Sequence, residues 1–263
     1  MKIGVCRGLD DFDAMKAASV VGRDYWETGF GCLANFNDEK IEICKEKLEE
    51  YNIKCHASNG FIPGDMPIVG RSVDYPALCE YMDKGFERAK LFGIKKIVLG
   101  SGKARSFEEG FCLDRAEEQV AFFLEEFAAP RAKDAGCIIV IEPLRFKETS
   151  IIHTVSDGVR IAKMSKADNV FGLADLYHVY GNKDSVEGIA DFKDKIKHAH
   201  IAEPVKRRYP LSTNDDNIKD IYKSFFDALR AAGCETCSIE AHTDDFASDI
   251  KDAVETIKGI LKA

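Results

Sequence analysis

Short apolar runs alternate with amphipathic stretches along the whole chain. The clearest run is Cys137-Ile138-Ile139-Val140-Ile141, bounded by Gly136 and followed by Glu142-Pro143. A run this short and rich in β-branched residues predicts a strand buried on both faces. The same pattern predicts strands over Met1–Cys6, Arg23–Thr28, Ile53–Ala57, Lys95–Gly100, Asn169–Asp175, Ile196–Ile201 and Glu235–Glu240. Helical periodicity fills the intervals at Asp11–Val21, Asp38–Tyr51, Tyr75–Phe92, Leu113–Ala135, Val155–Ser165, Ile218–Ala232 and Asp249–Lys262. In the second of these, Ile41, Ile43, Cys44 and Leu48 are expected to share the apolar face. Ser58–Gly70 holds two prolines and is too long for a simple turn. Loops of this length in compact domains are often functional.

Eight strands, nearly all followed by a helix, in 263 residues predict an α/β protein with a parallel eight-stranded sheet closed into a (β/α)8 TIM barrel. No linker or composition shift divides the chain, so residues 1–263 are expected to form one domain. An open doubly wound sheet is the main competitor, and it would normally carry a glycine-rich fingerprint after an early strand. Gly100-Ser-Gly-Lys-Ala-Arg105 matches neither that spacing nor a P-loop.

Composition narrows the partners. The net charge is -8, against the basic excess that duplex binding normally needs, so no nucleic-acid partner is expected. No window approaches 18 apolar residues, so no membrane span is expected. Arg7, Asp10, Asp11 and Asp13 interrupt any signal-peptide core in the first 20 residues. The nine cysteines are scattered, and Cys234-Glu-Thr-Cys237 has no second pair to complete a zinc knuckle. They fit small buried hydrophobes in a reducing cytoplasm, the expected location.

In a barrel of this type, the C-terminal strand ends face the active site. Those ends carry Glu142, Asp175, His200 and Glu240 on the fifth to eighth strands. One such carboxylate alone is as well explained by a helix cap or a salt bridge. Four consecutive strand ends converge three carboxylates and an imidazole, and the carboxylates would repel and raise each other's pKa unless a divalent cation sat among them. Three oxygens and one nitrogen suit Mn²⁺, Mg²⁺ or Co²⁺ with positions left open, and Mn²⁺ is the first choice. His198 points to the same face as His200 but lies deeper, so His200 is taken as the ligand. Glu148, His178 and the cluster Lys206-Arg207-Arg208 are loop groups placed to hold substrate hydroxyls, though a solvated surface explains them too.

Ile141-Glu-Pro-Leu144, Asp175-Leu-Tyr-His178, His198-Ala-His-Ile-Ala-Glu203 and Ser238-Ile-Glu240 resemble the metal-site motifs of xylose-isomerase-like sugar isomerase and epimerase barrels. Within them, the chain looks most like the tagatose and psicose 3-epimerases. The loop Phe61–Asp65 and the stretch Gly100–Arg105 with Glu109-Gly-Phe111 are also similar. The resemblance implies that Glu142, Asp175, His200 and Glu240 bind the metal, with Glu142 and Glu240 as the acid/base pair. Glu148 and His178 would hold substrate oxygens. The family's substrate-contacting arginine falls near Lys206, with Arg207 next to it. Arg145 stands where relatives often carry Asn, which points toward a different substrate. A small sugar substrate and a homodimer or homotetramer are further implications.

The expected reaction is metal-dependent proton transfer next to a ketose carbonyl, through an enediolate. Inversion at the carbon gives an epimer, and return of the proton to its neighbour gives an aldose–ketose isomer. Dehydration of a keto-inositol or β-elimination from a 3-keto glycoside would begin the same way. A nuclease like endonuclease IV shares the barrel but uses more histidine ligands than six His allow comfortably. A barrel that only binds sugar is the non-catalytic alternative, and the four-residue ligand set argues against it.

Overall fold

The structure is a computed structural model, and it describes residues 1–262. The strands are β1 (Lys2–Cys6), β2 (Tyr25–Gly29), β3 (Cys55–Asn59), β4 (Lys96–Leu99), β5 (Ile138–Ile141), β6 (Val170–Asp175), β7 (Ile196–Ile201) and β8 (Thr236–Ile239). They pair in sequence order, all parallel, and β1 closes on β8. Around them run α1 (Phe12–Ser19), α2 (Phe30–Asn35), α3 (Asp38–Glu50), α4 (Tyr75–Leu91), α5 (Leu113–Phe123), α6 (Ala129–Asp134), α7 (Val155–Met164), α8 (Leu176–Gly181), α9 (Asp216–Ala231) and α10 (Phe246–Lys262). The expected (β/α)8 barrel is the observed fold.

Several boundaries differ for physical reasons. The expected helix over Leu113–Ala135 is broken by a π-helical turn at Leu124–Ala128. Pro130 follows in the first turn of α6 and has no N–H to give the preceding turn, so the ladder widens there. In α3 the buried face is Ile41, Cys44 and Leu48, whereas Ile43 turns outward and is 41% exposed. Two positions on from Ile41, it lies on the far side of the helix. The short helices α2 and α8 were not expected. α2 is held from outside its own sequence: Arg88 of α4 donates to the carbonyls of Leu33 (2.7 Å) and Phe36 (2.6 Å). Its C-terminal carbonyls therefore have a buried partner.

The main core lies between barrel and helices, with Ile3, Leu33, Met82, Ile97, Ile139, Ile201 and Phe225 among its fully buried or nearly buried members. Inside the barrel the filling is split. Val98, Val140 and Leu173 form a separate apolar cluster with Ile138 and Phe171. The facing half is polar: Tyr25, Glu27, His198, Thr236 and Ser238 are all buried there and hydrogen-bonded to one another. A TIM barrel interior is usually packed with branched aliphatic side chains. Here β7, β8 and β2 instead supply polar contacts beneath the strand ends. The long loop after β3 is anchored: Phe61, Ile62, Ile68 and Val69 are buried, and Gln119 of α5 makes two 2.8 Å bonds to the backbone of Gly70.

Candidate active site

Glu142, Asp175, His200 and Glu240 meet at the C-terminal mouth. One ligand atom from each lies within 4.8 Å of the other three. Their arrangement follows from the topology. β5, β6, β7 and β8 are consecutive staves, so the residues at their ends form an arc. Glu142 and Glu240 stand at its two extremes. His200 Nδ1 bridges them, 3.0 Å from Glu142 Oε1 and 3.2 Å from Glu240 Oε2. Asp175 is also the N-cap of α8, where its Oδ1 accepts from the Tyr177 amide at 2.7 Å. Its Oδ2 is buried without a hydrogen-bond partner.

The stretch after β4 supports this arc. A Cβ on Gly100 would run into Glu142 Oε2, and one on Gly102 into the Glu148 carbonyl. Arg105, fully buried, donates from Nη2 to the Glu142 backbone oxygen at 2.7 Å. Burial lowers its guanidinium pKa to about 10, against the pull of Glu142. The glycines of Gly100-Ser-Gly-Lys-Ala-Arg105 thus make room for a carboxylate and a neighbouring backbone.

The loop residues are placed as follows. His178 Nδ1 is 3.3 Å from Glu148 Oε2, and His178 Nε2 is 3.5 Å from Asp175 Oδ2. Arg207 Nη2 is 2.7 Å from Glu240 Oε2 and 4.0 Å from Asp175 Oδ2. Lys206 is exposed, and its backbone amide bonds the Glu203 carboxylate. Arg207 takes a left-handed φ of 56°, inside a turn closed by Arg207 N to Glu203 O at 2.9 Å and Glu203 N to Arg208 O at 2.8 Å. That turn aims Arg207, and not Lys206, at the cluster. Arg145 lies over the Tyr177 ring at 3.9 Å and donates to its hydroxyl at 2.6 Å. A Cβ on Gly181 would occupy the place of its guanidinium.

Two participants escaped the sequence reading. Asn59, the last residue of β3, donates to Glu240 Oε1 at 3.2 Å. Glu27 of β2 is fully buried between two imidazoles, with Oε1 2.9 Å from His200 Nε2 and Oε2 2.9 Å from His198 Nε2. Glu27 is the middle residue of β2, two positions before its end, so a search for carboxylates at strand ends passes over it. Cys6, Glu27 and His200 also approach within 4.8 Å, but both Glu27 oxygens are committed to imidazoles. That triad offers no free carboxylate oxygen to a cation.

Electrostatics separate the two glutamates at the ends of the arc. Burial and the Glu240 charge push the Glu142 carboxyl up, against His200. Burial pushes Glu240 up as well, but the His200 and Arg207 charges outweigh it and hold it low. A buried set of three carboxylates with one orphaned oxygen fits a hard divalent cation, which would satisfy Asp175 Oδ2 and offset the repulsion. Cysteine-rich zinc ligation is not available there, since no cysteine is among the four residues of the cluster.

A cavity of about 1030 Å³ lies at the opposite mouth, lined by Lys2, His56, Lys95, Lys96, Arg230 and Thr236 among others. It shares no residue with the carboxylate cluster, so this void and the candidate chemistry are at different ends of the barrel.

The sequence profile of the xylose isomerase-like TIM barrels matches residues 15–262. The chain belongs to that family. An L-ribulose 3-epimerase from Methylomonas sp. (strain DH-1) is 25% identical over 226 residues, covering 82% of this chain and 73% of the relative. Among solved structures, a D-allulose 3-epimerase from Methylomonas sp. superposes with a TM-score of 0.81 at 20% identity, over 99% of this chain and 98% of the other. A 3-keto-D-glucoside 4-epimerase from E. coli superposes with a TM-score of 0.77 at 22% identity, over the full length of both chains. Among the described residues, no helix is long and apolar enough to cross a membrane.

Proposed function

We propose that this family member is a divalent-metal-dependent ketose 3-epimerase, with Glu142, Asp175, His200 and Glu240 as ligands and Mn²⁺ as the first-choice ion. The observation that carries the reading is the arc itself: two glutamates at its ends, an aspartate with an unpartnered oxygen and a histidine between them. When bound, the cation supplies positive charge to the oxygens of the substrate as the neighbouring carbon loses its proton.

The chain's own residues do the rest. Glu142 and Glu240 come from strands separated by two others, so they face a bound ketose from different sides. One removes the C3 proton and the other returns a proton to the opposite face, which inverts the centre through the enediolate. Arg207 and Asn59 fix the Glu240 carboxylate through one oxygen each, at 2.7 and 3.2 Å. That orientation is present before any substrate arrives. His178 and Glu148 present polar atoms on the same side of the mouth as Glu142, suited to hold ketose hydroxyls. Arg207 is the arginine placed for a substrate contact. Lys206 contributes its backbone to the turn.

Glu240→Gln tests the pair. The variant keeps the size of the side chain but cannot take a proton, and it can accept from only one of Arg207 and Asn59. We expect a loss of at least about 100-fold in exchange of the ketose α-proton with deuterated solvent, within the range for removing a general base. Full-rate exchange would remove Glu240 from the acid/base role.

A further inference from the structure

We infer that Glu27 is a positioning residue for the candidate metal centre: it fixes the tautomer and ring orientation of His200 so that the Nδ1 lone pair faces Glu142, Asp175 and Glu240. The inference rests on the metal reading above.

A chain of contacts runs down the barrel interior from that centre. His200 Nε2 lies 2.9 Å from Glu27 Oε1, and Glu27 Oε2 lies 2.9 Å from His198 Nε2. His198 Nδ1 lies 2.8 Å from Thr236 Oγ1, and the Lys96 ammonium lies 2.6 Å from that same oxygen. Lys96 also donates to the Lys197 carbonyl. The two kinds of end group fix where the imidazole protons lie. An ammonium can only donate and a carboxylate can only accept. Lys96 therefore donates to Thr236 Oγ1. The single hydroxyl proton of Thr236 goes to His198 Nδ1, since its other acceptor, the Lys197 carbonyl, is farther at 3.4 Å. His198 must then carry its proton on Nε2 and give it to Glu27. The second oxygen of Glu27 likewise accepts from His200, which places a proton on His200 Nε2.

One nitrogen of His200 remains. Nδ1 is the atom 3.0 Å from Glu142 Oε1 and 3.2 Å from Glu240 Oε2. With Nε2 committed to Glu27, a neutral His200 has its lone pair on Nδ1, where a cation held by the three carboxylates needs it. A carboxylate behind a metal-binding histidine does this generally, and its loss typically costs 10–100-fold in metal affinity. Glu27 is fully buried, has no Lys or Arg partner, and divides its two oxygens between two imidazoles.

The test uses the full chain, with Co²⁺ and Zn²⁺ as probes. In the Zn²⁺-loaded wild type, long-range ¹H–¹⁵N spectra should show His200 protonated on Nε2 with a metal-shifted Nδ1. Glu27→Gln keeps the volume but can satisfy only one imidazole N–H as acceptor. Its Co²⁺ affinity, from chelator competition, should fall 10–100-fold and its cobalt absorption band should move. Wild-type affinity with an unmoved band in Glu27→Gln would overturn the assignment of Glu27 alone. A wild type that takes up neither ion would overturn it together with the metal reading. If Glu27→Gln does not fold, the wild-type spectrum decides: protonation of His200 on Nδ1 contradicts the inference.

Discussion

At the scale of single residues, the site depends on close approaches as much as on ligands. Gly100 is the sharpest case, because a methyl group there would displace Glu142 Oε2 from its seat. Gly100→Ala should therefore lower turnover by about 10–100-fold, the order expected when a reacting group is moved by about 1 Å. The melting temperature should change little, since the obstacle is the end of a side chain. Unchanged turnover would mean that Glu142 has no fixed role. The four proposed ligands were legible in the sequence because each is a polar residue terminating a short apolar run. Glu27 sits mid-strand in β2, and the partners that give it meaning, His198 and His200, are 171 and 173 residues away. No local pattern encodes such a pairing. The choice between Lys206 and Arg207 was equally hidden, since it is made by a backbone turn with a left-handed φ at Arg207.

At the scale of elements, α2 depends on α4. Arg88 is 7% exposed and reaches two backbone carbonyls of the α2 end, while its ion-pair partner Asp38 is almost fully solvated. The carbonyl bonds, and not the exposed half of the ion pair, should dominate its contribution. Arg88→Ala should cost about 2–4 kcal/mol in urea unfolding, from charge-assisted bonds lost and buried carbonyls left unpaired. A change under about 0.5 kcal/mol would contradict the role given to Arg88. α2 was missed because six residues carry too little periodicity to register, whereas the long amphipathic helices were found to within a few residues of their ends.

β3 carries the clearest pH-dependent group away from the site. Burial, then the charges of Lys96, Lys2 and Lys95, lower His56 to about 4. In the unfolded chain it titrates near 6.5. Above that pH it is neutral in both states and contributes no pH dependence. As pH falls from about 6.5 toward 4, the unfolded chain takes up the proton first, so stability falls with pH. Below both values the loss is complete. His56→Gln should flatten this part of the stability–pH curve, as measured by denaturant unfolding at fixed ionic strength. A slope unchanged by the substitution would assign the effect to other groups.

At the scale of the whole molecule, the division of the barrel explains what the fold can do. The β4–β6 side of the interior holds an apolar cluster, whereas the β7–β2 side is a polar chain ending beneath the carboxylate arc. The strand–helix alternation made the closed barrel legible, and closure brings the ends of β5 to β8 into one arc without further encoding. The interior polarity was not legible, because Tyr25, Glu27 and Ser238 acquire partners only when closure brings β2 across from β7 and β8.

The most direct test of the account is deuterium uptake into free ketoses. Fructose, tagatose and psicose would be incubated in D₂O with the Mn²⁺-loaded and the chelator-stripped protein, and spectra taken after the ion is removed. The account predicts uptake at C3, a new C3 epimer, and loss of both on stripping. Equal activity after stripping would contradict the metal centre. No uptake into any free ketose by the loaded protein would contradict the ketose 3-epimerase reading.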